Sequence, residues 1–337
     1  MHDSCRESAE PHQADFLHAE SDWKDLRVLT VDSLSISSPI MNSASIKVDL
    51  DIIRSLSVSQ LMDKANWTTF TLTETEVHTA IFIDVILLAL LGIGIQVLYG
   101  EKKVYSANKE EDKKLRKKAR RVISWASTFV NSLFMTVMGI VYVVIKTDCL
   151  TDVSRLWTYA QGDGEHVWRS MDNISVLTMI WFGFFNIFEV TYGCVYCKEH
   201  LDPLTAWVHH PVFTWIVYMG TTGNGIFFTG RPFASSFMIV TCEELPTWLL
   251  AAGAMYPALR TDWGFGISFF VLRICFHFYH LVMCFLHDPA PSVYSVTTPK
   301  MIFLFSFLLH CMWFQSWVSK YLAPLIFGKK TAKPKTA

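Results

Sequence analysis

Apolar residues along the chain are gathered into seven long runs that are separated by polar segments. Each run is long enough to cross about 30 Å of hydrocarbon as a helix, which takes roughly 20 residues. An unpaired backbone N–H or C=O group is not tolerated in lipid, and the runs lack the alternation of apolar and polar residues that barrel strands show. The pattern therefore predicts helices. We therefore predict an all-α, polytopic membrane protein with about seven transmembrane helices. They lie near residues 80–99, 123–145, 174–197, 206–227, 234–258, 264–286 and 301–320.

The composition agrees with a membrane protein. The 337 residues are 51% hydrophobic and 14% aromatic, and the mean hydropathy is +0.30, which is more apolar than a typical soluble domain. The net charge of −1 says little about partners, because the charged residues lie almost wholly in tails and loops. The eight cysteines mostly fall inside the apolar runs, where they behave as small hydrophobes. We expect no metal site, no bound cofactor and no nucleic-acid partner.

The distribution of charge predicts how the chain crosses the membrane. Segment 101–121 holds ten Lys or Arg residues, and such a basic loop faces the cytosol under the positive-inside rule. Seven spans then place the N-terminus in the lumen, where Asn66 in "NWT" is a glycosylation acceptor pattern. Lys333 and Lys335 in the terminal "KPKTA" match a dilysine retrieval signal. We therefore expect a multi-pass protein of the endoplasmic reticulum membrane.

Three regions follow from this organisation. Residues 1–78 are polar, and we expect a lumenal, partly disordered tail with one short helix near 48–62. Residues 79–327 form the transmembrane domain. Residues 328–337 form a cytosolic tail that carries the dilysine signal.

Four of the predicted helices carry polar or ionisable side chains at membrane depth. Insertion of an ionisable residue there costs about 2.5–3.5 kcal/mol, so each is a candidate functional residue. A buried pair can also be a simple tie between helices. Because four successive spans each bring polar groups, we expect one polar cavity that opens toward the cytosol, with a helix kink at Pro246. The residues are Asn186, Glu189 and Tyr192; His209 and His210; Thr241, Glu243 and Glu244; and Arg273, His277 and His280.

Three stretches resemble the TLC domain family, which includes the ceramide synthases and the translocating-chain-associating membrane proteins. They are "HHPVFTWIVYMG", "TCEELPTWLL" and "GFGISFFVLRICFHFY". The resemblance covers about 75–325 and implies a six-helix membrane barrel with a central polar cavity, here with one additional span. The histidine pair maps to His209 and His210, the acidic position to Glu243 or Glu244, and the arginine to Arg273. The aspartates that follow the pair in ceramide synthases are absent, which makes this chain a non-typical member.

The resemblance implies lipid metabolism, and two hypotheses remain open. In the first, the chain transfers an acyl group from acyl-CoA to a lipid amine or alcohol, with His209 or His210 as base or nucleophile. Glu243 or Glu244 would orient the imidazole, and Arg273 would bind a phosphate or carbonyl oxygen. In the second, the same cavity binds, senses or transports a lipid without reaction. Membrane lipids are the expected partners, and a homodimer is left open.

Neighbouring residues on a helix point about 100° apart. Only one histidine of the pair can therefore face a given substrate atom. We expect the other histidine to be structural.

Overall fold

The computed structural model describes residues 70–100, 109–147, 149–155, 171–201, 203–222, 234–287 and 299–327. All of them belong to the compact unit 51–337. Regular structure in these ranges is entirely helical. The predictions for the first 69 residues, which include Asn66 and the short helix near 48–62, lie outside the described residues, as do Lys333 and Lys335.

Seven long helices occupy the described part of the chain, and each overlaps one of the predicted runs. Two short 3₁₀-helices, Lys198–His200 and Pro257–Leu259, lie between them. Three of the long helices are uninterrupted: α1 is Glu74–Tyr99, α2 is Lys109–Thr147 and α3 is Asn173–Tyr196. The other four change their helical geometry along their length.

These four helices combine α-helical segments with short segments of π- or 3₁₀-helix. α4 joins the π-helix Thr205–His209 to His210–Thr222; α5 joins Ala234–Val240, the 3₁₀-helix Thr241–Glu244 and Leu245–Met255; α6 joins Asp262–Phe269, the π-helix Phe270–Phe276 and His277–His287; and α7 joins Pro299–Trp317, the π-helix Val318–Leu322 and Ala323–Phe327.

Five segments are long and apolar enough to cross a membrane: Glu74–Tyr99, Leu115–Thr147, Asn173–Tyr196, Asp262–Leu286 and Lys300–Phe327. Side chains on α1 such as Phe82, Leu90 and Ile93 are more than half exposed. Large exposed apolar surface of this kind is what a helix in contact with lipid presents. The chain is thus an all-α, multi-pass membrane protein.

Two capping boxes fix where helices begin. Thr73 precedes α1, where its backbone N–H donates to the Glu76 carboxylate and its hydroxyl accepts from the Glu76 N–H. Asp172 and Ser175 repeat this exchange at the start of α3. Each box satisfies backbone donors that the first helical turn leaves unpaired.

α5 lies at the centre of the packing, with α2 along one side of it and α6 along another. α3 packs against α1 and α4, and α6 packs against α7. The approach of α2 to α5 depends on Gly139, where a Cβ atom would stand 2.5 Å from the backbone nitrogen of Cys242. A glycine at this position therefore allows α2 to press directly on the 3₁₀-helical segment of α5.

Candidate functional site

The interruption of α5 sets the positions of both glutamates. Thr241–Glu244 is 3₁₀-helical, and Pro246 stands in the first turn of the segment that follows. Proline has no N–H to continue the α-helical ladder, which is why a kink was expected here. The tighter winding turns Glu243 and Glu244 toward different partners.

Glu243 is buried, with 5% of its surface exposed, and it faces two histidines. Its carboxylate oxygens both lie 2.9 Å from Nδ1 of His277, and Oε2 lies 3.6 Å from Nδ1 of His310. The other ring nitrogen of His277, Nε2, lies 2.9 Å from the carbonyl oxygen of Phe303. α5, α6 and α7 thus meet at this carboxylate.

Glu244 pairs instead with Arg273. The guanidinium Nη2 lies 3.0 Å from Oε1 of Glu244 and 2.6 Å from the Thr247 hydroxyl, while its Nε donates to the backbone carbonyl of Glu243 at 2.8 Å. Arg273 is itself buried and lies over the Phe269 ring. These bonds hold the cation in one orientation, since the planar guanidinium has its donors in fixed directions.

Arg273 and His209 both come from π-helical segments. Arg273 lies in Phe270–Phe276, and His209 ends Thr205–His209. A π-helical turn adds a residue to the α-helical register and rotates the side chains that follow, and such turns are frequent at functional sites.

The two adjacent histidines face different surroundings, with their rings perpendicular and 5.5 Å apart. Nδ1 of His210 lies 3.0 Å from the Asn186 amide oxygen, and Nε2 lies 3.5 Å from Glu189. The Thr128 hydroxyl also donates to Glu189. His210 therefore belongs to a network that joins α2, α3 and α4.

His209 lies in the pocket, packed against the rings of Phe213 and Trp313 at centroid distances of 4.4 and 5.8 Å. Its Nδ1 is buried and has no hydrogen-bond partner among the described residues. A buried polar atom of this kind is costly unless a ligand, ion or water can satisfy it.

The pocket is partly enclosed and partly open to the outside. Helices α2 to α7 each contribute at least one side chain. The apolar lining is Met135, Phe182, Phe213, Phe237, Val240, Ile302 and Phe303, and the polar lining is His209, Thr241, Glu243, Glu244, Arg273, His277, Ser306 and His310. The arrangement can hold a polar group among apolar walls.

The structure brings together four of the five residues proposed from the sequence: His209, Glu243, Glu244 and Arg273 line one pocket, whereas His210 lies in the other network. The polar side chains of α3 do not reach the pocket either. Asn186 and Glu189 join His210, and the Tyr192 hydroxyl accepts from Gln96 at 2.7 Å.

The sequence reasoning missed the contribution of α7. His310 and Ser306 line the pocket, although no polar residue of the last run was singled out. The signal was available, since a histidine inside the apolar stretch "FSFLLHCMWF" carries the same insertion cost as the others,. His280, which was placed on the same stripe as Arg273 and His277, is buried against Phe276.

A second buried polar centre lies at Asp172, which stands just outside the predicted run 174–197 and was not among the candidate residues. Its Oδ2 accepts from the Tyr142 hydroxyl at 2.5 Å, from the Ser235 hydroxyl at 3.0 Å and from the Lys146 ammonium at 3.2 Å. Asp172 is fully buried. This centre joins α2, α3 and α5 away from the pocket.

Comparison with models of known protein families, with functionally described proteins and with solved structures finds no match.

Proposed function

We propose that the chain is a lipid-metabolising protein of the endoplasmic reticulum membrane that transfers an acyl group to a lipid amine or alcohol. Acyl-CoA is the proposed donor. The observation that carries the proposal is the pocket lined by helices α2 to α7, in which His209 and Arg273 lie beside apolar side chains. Such a pocket suits an amphiphile whose head group is polar and whose chain is apolar.

Two polar residues of the pocket, His209 and Arg273, have direct roles in this reaction. The acceptor N–H or O–H loses its proton as it attacks the acyl carbonyl carbon, and the thiolate of CoA leaves. His209 would take the proton, because its Nδ1 has no hydrogen-bond partner among the described residues,. Arg273, held by Glu244 and Thr247, would place a fixed positive charge beside the developing oxyanion.

The roles first expected for the glutamates change with the geometry. Glu243 contacts His277, and Glu244 contacts Arg273, so the proposal gives Glu244 the task of orienting the arginine. The resemblance to the TLC domain family, which covers the pair His209 and His210, Glu243 or Glu244, and Arg273, supports the proposal. It is also supported by the contribution of six helices to one pocket.

A second candidate is lipid binding without chemistry. The contacts of the two glutamates favour it, because both carboxylates are engaged elsewhere and none among the described residues contacts His209. An imidazole without a carboxylate partner is a weaker base than one in a triad. In this case the pocket would hold the lipid head group and return it unchanged.

The neighbouring histidine provides a matched control. Purified protein in lipid nanodiscs is given labelled acyl-CoA and lipid amine or alcohol acceptors, and product is measured for His209→Ala and His210→Ala. We expect His209→Ala to lower the rate by about a hundred- to ten-thousand-fold with an unchanged melting temperature. We expect His210→Ala to lower the melting temperature and to keep the rate per folded molecule.

Two results would decide against acyl transfer. Equal rates for the wild type and His209→Ala would remove His209 from the chemistry. An absence of product for the wild type, together with a lipid that copurifies with it and is lost from His209→Ala, would support the binding role.

A further inference from the structure

Three buried side chains that line the pocket are arranged like metal ligands. Glu243, His277 and His310 each present one ligand atom, and these atoms all lie within 4.8 Å of one another. Two of the separations are known: 2.9 Å from Glu243 Oε2 to Nδ1 of His277 and 3.6 Å to Nδ1 of His310. Ligand atoms about 3.3–3.6 Å apart surround a tetrahedral ion with bonds of about 2.0–2.2 Å. The three side chains therefore need only small movements to share one ion.

The contacts of His277 require either a proton or a metal ion between its ring and Glu243. The Phe303 carbonyl can only accept, so the Nε2 atom of His277, 2.9 Å away, carries a proton,. The Nδ1 atom of the same ring faces the Glu243 carboxylate, which also can only accept. Either a second proton or a metal ion must therefore lie between Nδ1 and the carboxylate.

His310 favours the metal ion. Its Nδ1 atom lies 3.6 Å from the same carboxylate oxygen, which is too long for a hydrogen bond, and it has no other hydrogen-bond partner among the described residues,. One proton between Glu243 and His277 leaves this buried nitrogen unsatisfied. One divalent ion satisfies both histidine nitrogens and the carboxylate together.

We propose that Glu243, His277 and His310 bind one divalent transition-metal ion, for which zinc fits best. Two imidazoles and one carboxylate are a set of zinc ligands found in catalytic sites, where a fourth position stays open. The Phe303 carbonyl accepts from Nε2 of His277 and so fixes the tautomer and the ring direction, as a hydrogen-bond acceptor commonly does for a metal-binding histidine. Arg273 is compatible with a nearby ion because Glu244, at 3.0 Å, balances its charge.

The position of the site in the pocket gives the ion a role. When bound, it would polarise a carbonyl or a water molecule at its open position. The proposal stands on the three ligands and does not depend on acyl transfer.

Metal analysis of the full chain tests the proposal. The protein is purified in detergent with a peptide tag that lacks histidine, and its metal content is measured by inductively coupled plasma mass spectrometry. We expect about one zinc ion per chain in the wild type, and only background in Glu243→Gln and His310→Gln. The matched control is His210→Gln, which also removes a buried histidine beside a carboxylate and should keep the ion. His209→Ala should keep it as well.

A measurement on the wild type covers the case in which the variants do not fold. Treatment with a zinc chelator should lower the melting temperature, and Zn²⁺ but not Mg²⁺ should restore it, because only the folded state assembles the ligands. Cobalt added to the chelated protein should give the visible absorption of a tetrahedral site. Background metal in the wild type with no effect of the chelator, or equal loss from His210→Gln and Glu243→Gln, would overturn the proposal and leave a proton between Glu243 and His277.

Discussion

Neutralising Asp172 should destabilise the protein more than any exposed charge change. Asp172→Asn keeps an oxygen for the Ser175 N–H, and asparagine is as good an N-cap as aspartate,. The change therefore preserves the start of α3 and removes only the charge. The substitution replaces Oδ2 with an NH₂ group, which then faces the Tyr142 and Ser235 hydroxyls and the Lys146 ammonium.

The size of the effect follows from what each partner can do. The two hydroxyls can turn and accept from the new amide, but an ammonium group can only donate. Loss of one member of a buried ion pair costs about 3–5 kcal/mol. The lower end applies, because Lys146 also lies 5.7 Å from the Tyr142 ring centre. We expect a loss of about 3 kcal/mol for Asp172→Asn, and about 4 kcal/mol for Asp172→Ala, which also removes the cap.

Thermal unfolding of the purified protein in detergent, followed by tryptophan fluorescence, measures this loss. With an unfolding entropy of about 2.1 cal/mol/K per residue, a chain of 337 residues shifts its melting temperature by roughly 1–2 °C per kcal/mol,. Asp172→Asn should therefore unfold about 3–6 °C below the wild type. The control is Asp152→Asn, since Asp152 is about half exposed and lies 3.9 Å from Arg155. It should stay within about 0.5 kcal/mol.

The double variant Asp172→Asn with Lys146→Met should recover part of the loss, because it removes the buried charge together with its partner. A melting temperature for Asp172→Asn within a degree of the wild type, or equal to that of Asp152→Asn, would refute the reasoning.

Two further substitutions test the packing around the pocket. Gly139→Ala should destabilise by about 1–3 kcal/mol in the same unfolding assay, because its Cβ would stand 2.5 Å from the Cys242 nitrogen,. The control Gly94→Ala, whose Cβ meets nothing within 4 Å, should be neutral or stabilise by up to about 1 kcal/mol. Equal stability of the two variants would contradict the close approach of α2 to α5. Arg273→Lys should destabilise by about 1–3 kcal/mol, since one ammonium cannot bridge Glu244, Thr247 and the Glu243 carbonyl,. Arg260→Lys, whose side chain is 24% exposed beside Asp262, should cost less, and the reverse order would be evidence against the bonding of Arg273.

The helices could be predicted because a membrane imposes a length and a composition on each of them. The all-α class is confirmed. The presence of membrane-spanning helices is also confirmed, since five helices in the described residues are long enough and apolar enough to cross a membrane. The TLC-type barrel, the lumenal tail and the compartment stay predictions. Asp172 shows a limit of reading apolar runs: it stands just before α3, where a polar residue looks like part of a loop, and only its partners on α2 and α5 reveal that it is buried.

The site could be predicted only to the level of candidate residues. A rotation of about 100° per residue holds for an α-helix, but His209, Glu243 and Arg273 all lie in π- or 3₁₀-helical segments. The direction of each side chain there depends on local winding, which no periodicity in the sequence encodes. This is why the sequence left open which histidine and which glutamate face the pocket.

Arg273 holds α5 through the carbonyl oxygen of Glu243, an atom that every amino acid supplies. This hydrogen bond of Arg273 therefore does not depend on which side chain stands at position 243. A single codon change there could exchange the acid for a neutral group, and the cation would stay where it is. A change at position 244 would remove a contact of the arginine, because the Glu244 carboxylate accepts directly from Nη2 of Arg273. A descendant of this protein could thus lose the Glu243 carboxylate and still keep Arg273 fixed by Glu244.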